Sequence, residues 1–536
     1  MKKIFINTTL FTLFCLSSQH MFGAVNPSAR YCEILGYEYV IEKDSTGGEI
    51  GLCVLPDGSK VDAWDFYYGK VKPEYSYCSK YGYESARGYY EKDGVSFECQ
   101  YCNSKTALKG GSYPNSIPVE ELIKKNGEAQ GYSLYEEEEA ENTLRAAKTT
   151  SPVTIVSNLP EVYDSRERDI IGGAKNQGSC GSCYSFASSA CTEMAYNRFS
   201  GTHGTDKKVL SESFMIWCLS NYYFQGCSGA SISAFNNDNK CLQTVTEKGL
   251  CESAYFPYVT SNPQTCTHWN DPNVKVSNYG AINYATNDQI KSAIYRYGAA
   301  YALVNGSSIQ GYSSGILKIS GNYTHAVVIV GWGKNGSRNY WIVRNSWGSN
   351  WGINGYFYVD MDYNTHLNRY ISYLIPTEVS LDADNINERN QVPAEGNTKF
   401  YGRNSVKLRS GFKVNKGGKF KVTITHKAAQ PSTSIYATIG NSSDMIIKGI
   451  EEEEAETNST ILLSPNPTTG EFTIFFGDES EEGNSVVITD LAGKAVYSAE
   501  GLGSEVSINL SDKTKGVYIV KAITNGNIRT EKLILK

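Results

Sequence analysis

Three residue types at separated positions of the chain have the makings of an acyl-transfer site. Cys183 opens a helix-like stretch, Cys183–Phe199, that follows the glycine-rich turn Gly178-Ser179-Cys180-Gly181-Ser182 and stops before Gly201. At a helix N-terminus the positive end of the macrodipole favours thiolate over thiol, and the thiolate is the nucleophile. Such a sulfur suits attack on a carbonyl but needs a proton acceptor. Of the 6 histidines, His325 stands apart because it begins a strand-like run, His325-Ala326-Val327-Val328-Ile329-Val330-Gly331-Trp332-Gly333. A turn at Lys334–Ser337 and a second strand, Tyr340–Arg344, then lead into Asn345-Ser346-Trp347-Gly348. A hairpin of this shape returns Asn345 to His325, where the amide oxygen can accept a ring N–H and fix the tautomer that faces sulfur.

Other readings of the same residues compete with that one. A cysteine in an exported chain is commonly half of a disulfide, and Cys180-x-x-Cys183 also has the spacing of a redox or zinc pair. Zinc would need two further ligands, and the other C-x-x-C, at Cys99 and Cys102, has no matching histidine tract. No metal and no cofactor is therefore expected. The remaining histidines read as surface or core residues and Trp341 as core.

The string Asn176-Gln177-Gly178-Ser179-Cys180-Gly181-Ser182-Cys183-Tyr184-Ser185-Phe186-Ala187 and the His325 and Asn345 motifs resemble the papain family of cysteine peptidases over residues 159–376. His325 and Asn345 follow Cys183 at about the ~130–150-residue separation of that family. The resemblance implies an α+β fold with a helical lobe and a β-barrel-like lobe. It also implies Cys183 as nucleophile, His325 as base then acid, Asn345 as orienter, and Gln177 sharing an oxyanion hole with the Cys183 N–H. Trp347 matches the tryptophan that shields the Asn–His bond. Gly229 and Ala230, in Gly226-Cys227-Ser228-Gly229-Ala230, match the motif that offers backbone to substrate. Ala230 stands where glycine is usual, which narrows that side of the cleft. Tyr323 and Thr324 line the neighbouring subsite. Around the nucleophile, with Tyr184 in place of tryptophan, the chain is most similar to dipeptidyl peptidase I, although no exclusion domain of that enzyme is recognisable. Resemblance further implies the bridges Cys180–Cys227 and Cys218–Cys266.

The remaining sequence must position and deliver this unit. A chain of 536 residues exceeds one ordinary core, and its 14 cysteines fit an oxidising compartment. Lys2 and Lys3 precede an apolar stretch from Ile4 to about Leu16, followed by Met21-Phe22-Gly23-Ala24, the layout of a cleaved signal peptide over 1–24. Residues 25–103 hold a repeat: Tyr31-Cys32-x-x-x-Gly36-Tyr37-Glu38 returns as Tyr77-Cys78-x-x-x-Gly82-Tyr83-Glu84. Each copy has another cysteine 21 positions on, so Cys32–Cys53 and Cys78–Cys99 are the economical pairings. The first copy resembles a short exported domain labelled putative hemolysin, which carries no catalytic residue. Cys102 is left to tether this disulfide-rich unit to the peptidase, and one bridge is expected among Cys191, Cys241 and Cys251.

The formal charge of −6 argues against a nucleic-acid partner. Two runs of E-E-E-E-A-E, at Glu136–Glu141 and Glu451–Glu456, supply ten of the 56 acidic residues and read as solvated linkers. The linkers span 104–158, which has a short helix at Val119–Lys125 and is alternatively a propeptide, and 449–460. Residues 377–448 read as a small β-module. Residues 461–536 alternate as a small β-sandwich would. Their ordered Pro465-Asn466-Pro467, Asp490-x-x-Gly493, Gly516-Val517-Tyr518 and basic end resemble the sorting domain of type IX secretion. That implies the secretion machinery as a partner, with release or outer-membrane surface anchoring. The whole reads as a secreted, monomeric, multi-domain cysteine endopeptidase acting on proteins or peptides, with C-terminal all-β modules. The alternatives are an exopeptidase whose cleft is blocked by the N-terminal unit, or a surface adhesin on a peptidase fold.

Overall fold

The computed structural model describes residues 21–104, 116–127, 152–362 (apart from 237, 264 and 267–272) and 366–388. It also describes strands between 391 and 446, and 461–536 apart from 477–482, 491–492 and 525–526. Both glutamate runs and residues 1–20 of the expected signal peptide lie outside the described residues. The chain divides into a unit up to Gly449 and a unit from Ile450.

The first unit is built around helix Cys183–Ser200, which is buried along nearly its whole length. Several of its small and polar residues turn inward with their hydroxyls bonded to the helix itself: Ser188 and Thr192 donate to the carbonyls four residues back, Tyr184 and Ser188, at 2.7 and 2.8 Å. Gly201 closes the helix in the left-handed region, φ 72°, where glycine carries no Cβ penalty. Against the helix lies a long mixed sheet. Strand His325–Asn335 pairs antiparallel with Arg338–Arg344 and with Ala300–Val304, and the former continues to Tyr356–Asp360. His325 is buried at the very start of its strand, and eight apolar or glycine neighbours follow it inward. A sheet covered on both faces needs such an unbroken run.

The sheet does not stop at residue 376. Strand Tyr370–Glu388 carries on as one element and pairs with Asn397–Leu408, which pairs with Lys419–Ile424. Val379, Leu381, Phe400, Val414, Phe420 and Val422 join the same hydrophobic core as Tyr184, Met194 and Val328. The segment expected as a separate β-module is therefore an extension of the peptidase sheet.

The N-terminal unit is likewise fused to the peptidase. In each repeat the Tyr-Cys pair lies in a short helix, Pro27–Ile34 or Tyr77–Lys80, followed by a hairpin. Cys32 bonds Cys53 as the repeat suggests, but Cys78 bonds Cys102, and Cys99 is a free, buried thiol. Register explains the correction. In the first hairpin Cys53 faces Tyr39. The position equivalent to Tyr39 in the second is Ser85, which faces Cys102, whereas Cys99 faces Gly88. Because strand side chains alternate, Cys99 and Cys102 lie on opposite faces, and only the second points at the helix. This also removes the expected tether: the unit is held to the peptidase by packing and hydrogen bonds. Cys180–Cys227 and Cys218–Cys266 are formed. Cys191, Cys241 and Cys251 are buried in one apolar core, where a thiol behaves as a small hydrophobe, and form no disulfide among them.

Part of the expected linker also belongs to this unit. Ser116–Pro118 adds a strand beside Val95–Asn103, and helix Val119–Lys125 buries Val119, Leu122 and Ile123. Val95–Asn103 in turn pairs with Tyr312–Ser314 of the peptidase. Trp64, Tyr67 and Tyr77 share one hydrophobic core with Trp347, Trp351 and Phe357.

The C-terminal unit packs a three-stranded sheet, Leu462–Ser464, Glu471–Phe475 and Glu505–Asn509, with a four-stranded one running from Asn484 to Leu535. Alternate residues Val486 and Ile488, with Ile474, Val520, Ala522 and Leu533, fill its core.

Candidate active site

Helix, hairpin and turn bring the predicted residues together. Cys183 is the first helical residue, so its sulfur lies where the helix's free N–H groups point. Burial pushes its thiol up to about 12, opposed by backbone N–H groups of Ala326, Tyr184, Cys183 and Ala24. The disulfide Cys180–Cys227 and the Gly181 N–H donating to the Cys227 carbonyl at 3.1 Å pin the turn before the helix to the loop carrying Gly229 and Ala230.

His325 Nε2 and Asn345 Oδ1 are 2.7 Å apart, fully inside the protein. Trp347 stacks on the imidazole with ring centroids 4.9 Å apart and keeps water from that bond. The other ring nitrogen, Nδ1, is buried with no hydrogen-bond partner. Burial, opposed by the Asn345 bond, pulls the imidazole down to about 4. In this closed arrangement burial favours the neutral form of both sulfur and imidazole.

Gln177 is placed from two sides. Its N–H donates to the Ser346 carbonyl at 2.9 Å, and its side-chain oxygen accepts from Ser346 Oγ at 2.6 Å. Its side-chain Nε2 is thereby aimed into the cleft, donating to the Cys180 and Ala24 carbonyls at 2.8 and 2.9 Å. Thr324 presents its carbonyl, which accepts from the Ala24 N–H at 2.9 Å. Ala230 and Ser231 form a short strand paired with Met21–Phe22. Tyr323 lies flat on His366, centroids 4.1 Å apart, and donates its hydroxyl to the His366 carbonyl at 3.1 Å.

Two features escaped sequence reading. Behind the site, Lys175 lies between Glu193 and Glu212, at 2.9 and 2.6 Å, all three nearly inaccessible. Burial raises Glu212 to about 7 despite Lys175. Glu193 in the middle of a helix whose other residues are almost all small, aromatic or uncharged was the available signal, since a buried carboxylate needs a partner. The second is the occupant of the cleft, Met21–Asn26, whose short apolar and small residues read as a cleavage-site tail.

A thiol at a helix start, an imidazole steered by a shielded amide, and an amide donor aimed at a carbonyl define a cysteine peptidase site. Residues 159–376 match the model described as papain family cysteine protease. Residues 23–70 match a domain of unknown function, and residues 463–536 match a secretion system C-terminal sorting domain. A cysteine protease of Blomia tropicalis is 31% identical over 240 residues, 41% of this chain and 67% of the relative. Cathepsin O of Mus musculus is 31% identical over 276 residues, 48% of this chain and 84% of the relative. A solved structure of the study on the mite allergens Blo t 1 and Der p 1 is 29% identical, covers 43% of this chain and 74% of its own, and has a TM-score of 0.37.

The chain belongs to the papain family of cysteine proteases, and it is a hydrolase of peptide bonds. Its sorting domain marks it for type IX export to the cell surface or the extracellular space.

Proposed function

We propose that the chain is an endopeptidase in which Cys183 is the nucleophile, His325 the base and then the acid, and Asn345 the residue that holds the imidazole. On activation the thiol proton passes to His325, and the thiolate attacks a peptide carbonyl. Gln177 and the Cys183 N–H receive the oxyanion. The leaving amine takes the proton back, and water releases the thioester. Gly229, Ala230, Tyr323 and Thr324 bind the acyl side of the substrate, and Trp347 walls the other side. Residues 1–24 serve export as a signal peptide.

One observation carries the endopeptidase reading. In the precursor, before residues 1–24 are removed, an uninterrupted chain, Met21 to Asn26, passes through the cleft from the Ala230–Ser231 strand to Trp347, whose carbonyl accepts from Asn26 Nδ2 at 3.3 Å. A cleft that admits a chain on both sides of the sulfur does not require a terminus. Digestion of a peptide library tests this, with internal cuts expected at several distances from both ends.

A second reading has its own support. Trp64 of the N-terminal unit donates to the Trp347 carbonyl at 3.0 Å and packs against Trp347 and Trp351. A cap fixed there would limit how much substrate extends past the cut, as in an exopeptidase. Products of one constant short length released from a chain end would favour it.

A further inference from the structure

The loop that carries Gln177 is held by the N-terminal unit as well as by the peptidase. Gln177 is the middle residue of a turn closed by the Asn176 side chain, whose Oδ1 accepts from the Gly178 N–H at 3.0 Å. Asn176 therefore sets the direction in which Gln177 leaves the backbone. It is buried, and the N-terminal unit bonds three of its polar groups. Its N–H donates to Glu49 Oε2 at 2.7 Å, its Nδ2 donates to the Tyr39 hydroxyl at 2.8 Å, and its Oδ1 accepts from Asn26 Nδ2 at 3.0 Å.

Glu49 also ties this loop to the far side of the site. Its N–H donates to the Ala174 carbonyl and its carbonyl accepts from the Ser349 N–H, both at 2.8 Å. One residue of the unit thus links the backbone before Gln177 to the turn after Trp347. The peptidase leaves room for that contact with glycine. A Cβ on Gly173 would lie 2.5 Å from the Gly48 nitrogen, and one on Gly348 would lie 2.9 Å from the Glu49 carbonyl oxygen.

We propose that the N-terminal unit is a resident part of the working enzyme that positions the oxyanion donor, with Glu49 and Tyr39 acting on Gln177 through Asn176. This rests on the reading of Cys183 as nucleophile and Gln177 as donor. The stretch after Gln177, Gly178-Ser179-Cys180-Gly181-Ser182, has little side chain of its own to pack, so the turn gains from an anchor upstream. Misplacing a catalytic group by about 1 Å costs about 100-fold in rate. A carboxylate accepting from a backbone N–H is among the stronger bonds that can prevent it. Neither Glu49 nor Tyr39 bonds a residue assigned above to substrate, so a bound peptide leaves this clamp in place.

The test uses the full chain, exported and processed, and reads two quantities side by side. One is kcat and KM on a fluorogenic peptide, the other the rate of Cys183 alkylation by iodoacetamide, followed by peptide mapping. Iodoacetamide is attacked at a saturated carbon and develops no oxyanion, so it reports the sulfur and not the donor. Glu49→Leu is expected to lower kcat about 10- to 100-fold, with KM and the alkylation rate within about twofold of wild type. Glu49→Gln keeps an oxygen acceptor for the Asn176 N–H and is expected to restore most of kcat. Tyr39→Phe keeps the ring and removes only the hydroxyl, so it serves even where Glu49→Leu does not fold. It is expected to lower kcat about 3- to 10-fold, the equivalent of one neutral hydrogen bond, again with alkylation unchanged. The native mass of the alkylated wild type is expected to include residues 25–103. Unchanged kcat in both Glu49→Leu and Tyr39→Phe, a rise in KM alone, or alkylation that falls in step with kcat in Tyr39→Phe would overturn the proposal. Full activity in processed protein that has lost residues 25–103 would overturn it too, and each of these results leaves the peptidase reading standing. A wild type that hydrolyses nothing and whose Cys183 is not alkylated would overturn both.

Discussion

Acid should open the covered cleft, and His325 sets how far. The imidazole is fully buried beside Trp347 and held from 6.5 down to about 4, chiefly by desolvation of the charged form. A depressed histidine means that the closed state binds fewer protons than the open one. Its contribution is therefore complete above pH 6.5 and is lost as pH falls toward 4. At 1.36 kcal/mol per unit, moving from pH 7 to pH 4.5 costs the closed state ~2–3 kcal/mol, roughly a hundredfold in the opening equilibrium. The backbone amides of Ala24 and Asn26 report it, since their hydrogen bonds to Thr324 and Gly178 break when the segment leaves. Hydrogen exchange of those amides, in full-length Cys183→Ala to prevent cutting and corrected for intrinsic rate, should show protection falling by about that factor. His366, also buried and drawn down to about 4, titrates in the same window. Adding His325→Gln should remove most of the fall and leave only a His366 remainder. Protection that is flat from pH 7 to 4.5, or an unchanged fall in the His325→Gln protein, would refute the reasoning.

Other expectations concern separate parts of the molecule. Gln177→Ala removes one donor to the oxyanion and should lower kcat by roughly 100- to 1000-fold, read on a fluorogenic peptide. Asn345→Ala leaves a buried imidazole without its 2.7 Å partner, a loss of ~1–3 kcal/mol that should appear as about a 10- to 100-fold fall in kcat with KM little changed. Cys102→Ser should destabilise the protein by ~2–4 kcal/mol in urea unfolding, while Cys99→Ser stays near wild type, and non-reducing peptide mapping should yield a Cys78–Cys102 peptide. Lys175→Met strands two buried carboxylates and should cost ~3–5 kcal/mol by the same unfolding assay.

Much of the site was legible because its residues announce themselves locally. Cys183 follows a glycine turn and precedes an uninterrupted helix. His325 and Asn345 bracket a hairpin whose alternation and turn residues specify its register. Helix Val119–Lys125 was readable from its pattern, but its attachment was not: a three-residue run such as Ser116–Pro118 looks alike whether or not it adds a strand to a neighbour. The Cys78 pairing failed for a similar reason. Equal spacing in sequence ignores how many residues the hairpin loop takes up, and three extra residues move the cysteine that faces the helix from Cys99 to Cys102. The sheet beyond residue 376 was hidden because alternation describes a strand equally well in an isolated module and in an extended sheet. The Met21–Asn26 segment carries no periodic signal at all. Its place is decided by carbonyls and amides of residues about 150 to 300 positions away.

The central claim is that Cys183 is the reacting sulfur. Five cysteines among the described residues are outside any disulfide, Cys99, Cys183, Cys191, Cys241 and Cys251, and all are buried. Treating the active protein with an epoxide thiol inhibitor and mapping the adduct by tandem mass spectrometry separates them. A single adduct on Cys183, with loss of peptide hydrolysis in proportion to labelling, is the expected result. Full labelling at another cysteine, or continued hydrolysis once Cys183 is modified, would contradict it.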